Sequence, residues 1–266
     1  MTPEADFRPD VPSTARMYDY YLGGKDNYPA DRQAAERVIG MMPEGAIRAA
    51  AVQNRGFLGR AVRTLAGELG IRQFLDIGTG LPTMSNVHEV AQSAAPDSRI
   101  VYVDHDPIVL AHARDMLHGM DSTKIINHDL RDPAGIIADP ELNGLLDLSR
   151  PLAVLLVAIL HFISDEEDPR GIISALMKPL PAGSYLVISH ATSDSISQLE
   201  NATEVYKGAT SGLYNRTQAE VEALFAGCDL LDPGVVRLAQ WRPDAGSDVP
   251  DGPGASLFWC GVAIKP

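Results

Sequence analysis

A short apolar run ends in Asp76-Ile77-Gly78-Thr79-Gly80-Leu81-Pro82-Thr83, a carboxylate followed closely by two glycines. Glycine lets the backbone turn sharply and lets a ligand reach main-chain atoms. Two further acids stand at comparable places: Asp104 closes Ile100-Val101-Tyr102-Val103, and Asp129 follows Lys124 to His128. A phosphate-binding GxGxxG fingerprint needs glycine at position 83, where this chain has Thr83. A carboxylate at Asp76 also repels a pyrophosphate and attracts a cation. The three acids together suit a positively charged nucleoside. Asp104 would accept ribose hydroxyls, and Asp129 or its adjacent main chain would meet the base. Plainer readings stand beside these: turn glycines, Asp104 as a helix N-cap, and Asp129 as a cap or turn before Pro133.

S-adenosylmethionine (SAM) carries a sulfonium and an ammonium where NAD presents phosphates, so SAM is the expected cofactor and S-adenosylhomocysteine its spent form. Methyl transfer needs an acceptor held near an already activated carbon. A base is required only when the acceptor must first lose a proton. His161, after the apolar run Leu152 to Ile159, is the first candidate for that base; the alternative is a structural histidine bonded to main chain. His190, ending Tyr185 to Ser189, has the same placement. His105 and His112 edge the adenine side or face solvent, and His128 either contacts adenine or is satisfied at its strand end.

Other chemistries lack their residues. Cys228 and Cys260 have no CxxC spacing, and no GxSxG elbow surrounds Ser193, Ser197 or another serine. Asp165 to Asp168 read as a solvated loop with acids entering a helix, so no metal site is expected. The segment Tyr18 to Tyr28 is dense in aromatics and glycines. It fits either simple packing or a lid, with Gly23-Gly24 as the turn and Tyr21, Lys25 and Asn27 facing the pocket. Trp241 and Arg242 would close the other side.

The elements that must position these residues alternate. Three prolines mark residues 1–13 as a loose arm, and helical spacing follows over 14–21, 30–40 and 44–69. Beyond Gly70, apolar strands alternate with helices at 83–94, 107–118, 169–178, 194–208 and 217–226. Late strands near 235–240 and 257–264 flank a Pro/Gly-rich loop, 242–256. The pattern predicts an open parallel sheet with helices on both faces and an antiparallel last strand. The net charge is −13, with nine basic and nine acidic side chains in residues 1–70, so all the excess lies beyond. A nucleic-acid partner is therefore not expected. Without a signal-peptide pattern or a run long enough for a bilayer, a cytoplasmic protein without membrane contact is. The oligomeric state is not written in the sequence.

Taken together, QFLDIGTGLPT, VYVDHDPIVLAHAR, LLVAILHFISDEEDP and GSYLVISH resemble class I SAM-dependent methyltransferases. With ARMYDYYLGGKDNYPADR added, the chain is similar, from about Pro12 onward, to an actinobacterial S-adenosyl methyltransferase family of unknown substrate. The resemblance implies a Rossmann-like α/β fold with a mostly parallel seven-stranded sheet and an N-terminal helical extension. It implies Asp76, Gly78 and Gly80, with Thr79 between them, at the methionine part of SAM. It places Asp104, beside His105, at the ribose, Asp129 and Leu130 beside the adenine, and Ala158 in the methionine pocket. Pro82 departs from the common pattern and would sit in the first helical turn. Residues 1–70 would form an arm and cap over a SAM-binding domain, 71–266. The expected activity is methyl transfer to an oxygen or nitrogen of a small molecule, the alternative being a SAM-binding sensor without transfer.

Overall fold

The structure is a computed structural model that describes residues 8–82, 85–192, 194, 198–247, 249 and 257–266. Among the described residues, eight strands form one sheet: β1 (Gln73–Ile77), β2 (Arg99–Asp104), β3 (Thr123–Asn127), β4 (Ala153–Val157), β5 (Tyr185–Ala191), β6 (Asp229–Leu230), β7 (Val236–Arg237) and β8 (Phe258–Ile264). The order is β3-β2-β1-β4-β5-β8-β6, with β7 also on β8. Strands β1 to β5 pair in parallel, and β8 inserts antiparallel beside β5. Strand order reverses between β1 and β4, which places a ligand crevice at the carboxyl end of β1.

Alternate strand residues feed two cores. Leu75, Val101, Val154 and Leu186 pack on one face, and Phe74, Ile100, Leu155 and Val187 on the other. Strands covered on both sides read as continuous apolar runs, which is why β4 and β5 stand out in the sequence. Helix α3 (Ala46–Arg63) buries Phe57, Leu58, Ala61 and Val62 against the second face. A third apolar cluster joins α1 (Thr14–Tyr21), α2 (Pro29–Met41) and α9 (Gln198–Tyr206), above the strand ends. Residues 13–42 thus form a cap, whereas α3 belongs to the helical layer of the sheet.

Several boundaries differ from the sequence expectation. The edge beyond β8 is split, β6 pairing near Ile264 and β7 near Cys260. Pro233 lies between them and has no N–H for a ladder bond. The strand expected over 235–240 keeps two residues before a 3₁₀ turn, Leu238–Gln240. Helix α4 (Val87–Ala94) starts at the Asn86 cap, so Pro82 lies in the preceding loop and not in a first helical turn. Thr83 falls outside the described residues, as do Ser193, Ser197, the arm 1–7 and most of 248–256. After α5 (Pro107–Met116), two short helices went unforeseen, α6 (Pro133–Ala138) and α7 (Pro140–Leu145). Each begins Asp-Pro, an aspartate cap before a proline that is already shaped for the first helical position. Among the described residues, no helix is long and apolar enough to cross a membrane.

Candidate active site

A cavity of about 570 Å³ opens at the crevice. Its floor is the carboxyl ends of β1 to β4, and its roof is α1 with α9 and the turn after it. Asp76, Gly78, Thr79, Gly80, Asp104, His105, Asp129, Leu130, Ala158 and His161 all line it.

The glycine turn is built for close approach. Gly78 has φ +73°, and a Cβ there would lie 2.6 Å from Ile159. Any larger residue would be both strained and obstructed. Asp104 reaches across to this turn, its Oδ2 accepting from Gly80 N at 3.0 Å. Its Oδ1 accepts from the backbone N–H groups of His105 and Asp106, at 2.8 and 2.9 Å. The cap of α5 is not Asp104 but Asp106, which accepts from Ile108 N. Asp129 caps no helix, since α6 is capped by Asp132, but it does form the turn before Pro133: its Oδ1 accepts from Arg131 N and its carbonyl from Asp132 N. Both acids therefore sit at the cavity without the helix-capping duty that composition alone allowed.

Asp76 is buried, which pushes its carboxyl up to about 7 against the opposing pull of Arg55 and a hydrogen bond from Thr79 Oγ1. A cationic ligand favours the charged carboxylate, so binding lowers this pKa and releases a proton. SAM affinity is thus expected to rise with pH, by roughly eightfold between pH 6 and 7.5 from the titration of this group. Asp76→Asn should flatten that profile. Calorimetry at the two pH values checks both.

Beyond β4, Ala158 adopts a left-handed φ of +57°. Its N–H donates to Ser189 Oγ at 2.9 Å, whose hydroxyl donates to Asn54 Oδ1 at 2.6 Å. Asn54 Nδ2 donates to Tyr18 Oη at 2.9 Å, and Tyr18 donates to Ala51 O. This chain ties the β4 turn to α3 and to the cap. None of Tyr18, Asn54 and Ser189 was expected at the site. Asn54 did leave a signal, since it interrupts the apolar face made by Ala50, Ala51, Phe57, Leu58 and Ala61.

Five sequence expectations fail on side-chain direction, among them Arg242, which turns away from the cavity to Asp232 O and Glu68. Tyr21 lines the cavity, but Lys25 is exposed and away from it. Asn27 points instead at the cap, donating to Asp19 Oδ2 at 2.8 Å. Trp241 is fully buried on the sheet, edge-on to Phe57 at 5.5 Å, because its large apolar ring is worth most in the core. His190 is also withdrawn: its Nδ1–H donates to Ala191 O, and its Nε2 accepts from Arg216 Nη1 at 2.8 Å. Burial pulls its pKa down to about 3, so it stays neutral.

His161 does line the cavity, but not as a free base. Its Nδ1 accepts from Ala191 N at 3.3 Å, which leaves the ring proton on Nε2. Burial, with His190 and Arg216 close by, holds its pKa well below the usual histidine value. The imidazole is a neutral donor. Asp165, read as one of a solvated acidic run, pairs with the buried Arg216 at 2.6 Å while remaining exposed itself.

A parallel sheet with glycines and acids at its switch point defines a Rossmann-like class I methyltransferase. The chain matches the S-adenosyl methyltransferase family over residues 2–266, and it belongs to that family. Two crystal structures are similar throughout. A Thermobifida fusca protein assigned as a methyltransferase is 40% identical, with a TM-score of 0.92 over 99% of this chain and 97% of that one. A DUF574 family protein from Streptomyces avermitilis is 43% identical, with a TM-score of 0.92 over 97% of this chain and 100% of that one. Human N-acetylserotonin methyltransferase, solved with SAM, shares 15% identity and a TM-score of 0.50 over 93% of this chain and 62% of that one, a likeness of fold alone. No curated protein sequence matches the chain. The protein is a SAM-dependent methyltransferase, and SAM is its cofactor. Buried Asp76, the obstructed Cβ at Gly78 and the acids beside it fit that group, which supplies an electrophilic methyl.

Proposed function

We propose that the enzyme methylates an oxygen or nitrogen of a small molecule held between the strand ends and the N-terminal cap. The observation that carries this reading is one cavity reaching from the glycine turn to α1 and α9, with acids at one end and apolar side chains at the other. Its volume lies within the range of small-molecule sites. Asp76 and the turn Gly78-Thr79-Gly80 hold the methionine part of SAM, Asp104 with His105 the ribose, Asp129 and Leu130 the adenine, and Ala158 the wall toward the acceptor. Of the expected cover, residues 1–70, the part 13–42 closes the chamber, with Tyr21 among its lining residues, while α3 packs on the sheet. Excluding water strengthens every polar contact inside.

Calorimetry with SAM, S-adenosylhomocysteine and NAD tests the cofactor site. Both SAM and its product should bind at least about tenfold more tightly than NAD, since one misplaced charge contact at a partly buried site is worth that much. NAD binding of equal strength would remove the assignment of Asp76. Incubation with methyl-labelled SAM and a host extract tests the acceptor class: label in low-molecular-weight products supports the reading, and label only in macromolecules defeats it.

A further inference from the structure

The end of the cavity under the cap is apolar and aromatic. Val38, Ile47, Leu213 and Leu257 line it, with an aromatic wall in which Phe162 lies 4.3 Å from His161 and 5.9 Å from Tyr206, centroid to centroid. Phe258 stands 5.7 Å from His161 across the same wall. The polar groups set into this wall share one property. They donate.

His161 offers Nε2–H, because Nδ1 is already taken by the Ala191 amide. Among the described residues Nε2 has no partner. Tyr21 Oη and Tyr206 Oη lie 3.2 Å apart, and whichever donates to the other, one phenolic O–H is left over. Burial keeps both phenols protonated, pushing Tyr206 up to about 12 and Tyr21 well above the usual phenol value. Asp19 also lines the cavity, but its carboxylate is turned toward Asp26 and α5: Oδ2 accepts from Asp26 N and Asn27 Nδ2, and Asp26 Oδ2 lies 3.8 Å from His112 Nδ1. Asp76 belongs to the opposite end, beside Thr79 and Arg55.

Behind His161 the charge is positive. The Arg216 guanidinium is buried and donates to Leu160 O and Ile163 O, while its carboxylate partner Asp165 has a side chain 85% exposed. The counter-charge lies in water, and the cation lies inside. A negative group beside His161 gains from that asymmetry.

A wall of donors backed by a buried cation favours an acceptor that is already an anion over one that must first shed a proton. Phenols keep theirs until about pH 10 and alkyl amines carry an extra one to about the same pH, whereas carboxylic acids are ionised above about pH 4. We infer that the acceptor is an apolar ring compound bearing a carboxylate, held by donated hydrogen bonds from His161 and the Tyr21–Tyr206 pair and methylated on a carboxylate oxygen. This rests on the small-molecule reading of the same cavity. The carboxylate oxygen forms the new bond to the methyl carbon with its own lone pair. The carbon–sulfur bond breaks with its electrons left on sulfur, so a methyl ester and a neutral thioether result and no proton moves.

The test is calorimetry on protein saturated with S-adenosylhomocysteine, using 1-naphthoate, 1-naphthol and 1-naphthylmethylamine as probes of one ring system. Naphthoate should bind roughly tenfold or more tightly than either, as charge-assisted bonds exceed neutral ones. Tyr21→Phe with Tyr206→Phe should erase most of that preference while leaving S-adenosylhomocysteine binding intact. With methyl-labelled SAM, the wild-type protein should yield labelled methyl 1-naphthoate. Equal or tighter binding of the naphthol or the amine by wild-type protein overturns the inference, whatever the variant does. The preceding titration with S-adenosylhomocysteine separates the two failures. If that ligand does not bind, the cofactor site itself falls; if it binds and naphthoate has no advantage, only the carboxylate inference falls.

Discussion

Asp104→Ala is expected to weaken SAM binding by about tenfold to a hundredfold. The carboxylate ends β2 at the cavity floor and is 8% exposed. On the proposed ribose assignment, a hydroxyl donating to the acceptor site left open by the Gly80, His105 and Asp106 amides makes a charge-assisted bond worth roughly 1.5–3 kcal/mol, which spans those factors. The same substitution frees Gly80 N, now held at 3.0 Å, and so loosens the glycine turn as well. Asp104→Asn separates these effects, because an amide oxygen can still accept from Gly80 while the charge is gone. Its loss of affinity should be smaller. Calorimetry gives both constants, and circular dichroism checks the fold. An unchanged constant in a natively folded Ala variant would show that Asp104 serves only the turn and the backbone of His105 and Asp106.

Arg16→Ala should cost about 3–5 kcal/mol of stability, the usual consequence of leaving one member of a buried ion pair alone. Arg16 Nε and Asp31 Oδ2 lie 2.8 Å apart, with side-chain exposures of 3% and 0%. Asp31 also accepts from Ser13 N and Tyr28 N, so one carboxylate gathers the start of α1 and the start of α2. Ser13 Oγ in turn donates to Asp106 Oδ2 at 2.8 Å, linking the cap to α5 beside Asp104. Urea unfolding measures the effect. Arg16→Met with Asp31→Leu should recover much of the loss, since no charge is then stranded. A change below about 1 kcal/mol in the single variant would mean that apolar packing of Met17 and Tyr21, not the ion pair, holds the cap.

Local order carried the nucleotide side of this protein into its sequence. Each strand of a parallel sheet is a short apolar run, and its carboxyl end opens on the ligand crevice. Asp76, Asp104 and Asp129 are therefore recognisable from their neighbours alone. The glycine at position 78 is needed by its own backbone and by the nearness of Ile159, and the turn announces itself for the same reason. The antiparallel last strand was legible too, because no helix separates the late apolar runs.

The capped end of the cavity had no such local signature. Tyr206 lies 185 residues from Tyr21, and Ser189 lies 135 from Asn54, so only packing brings either pair together. Trp241, Lys25, Asn27 and His190 show the complementary failure. Their types suited a site, but type does not fix direction. The indole gained more in the core, the lysine stayed in water, and the amide and imidazole satisfied buried neighbours. Even at His161, correctly placed at the cavity, the decisive fact is tertiary: an amide from β5 occupies one ring nitrogen and turns a candidate base into a donor. Which element stands where follows from periodicity along the chain. Which atom donates and which accepts follows from what each side chain meets across it.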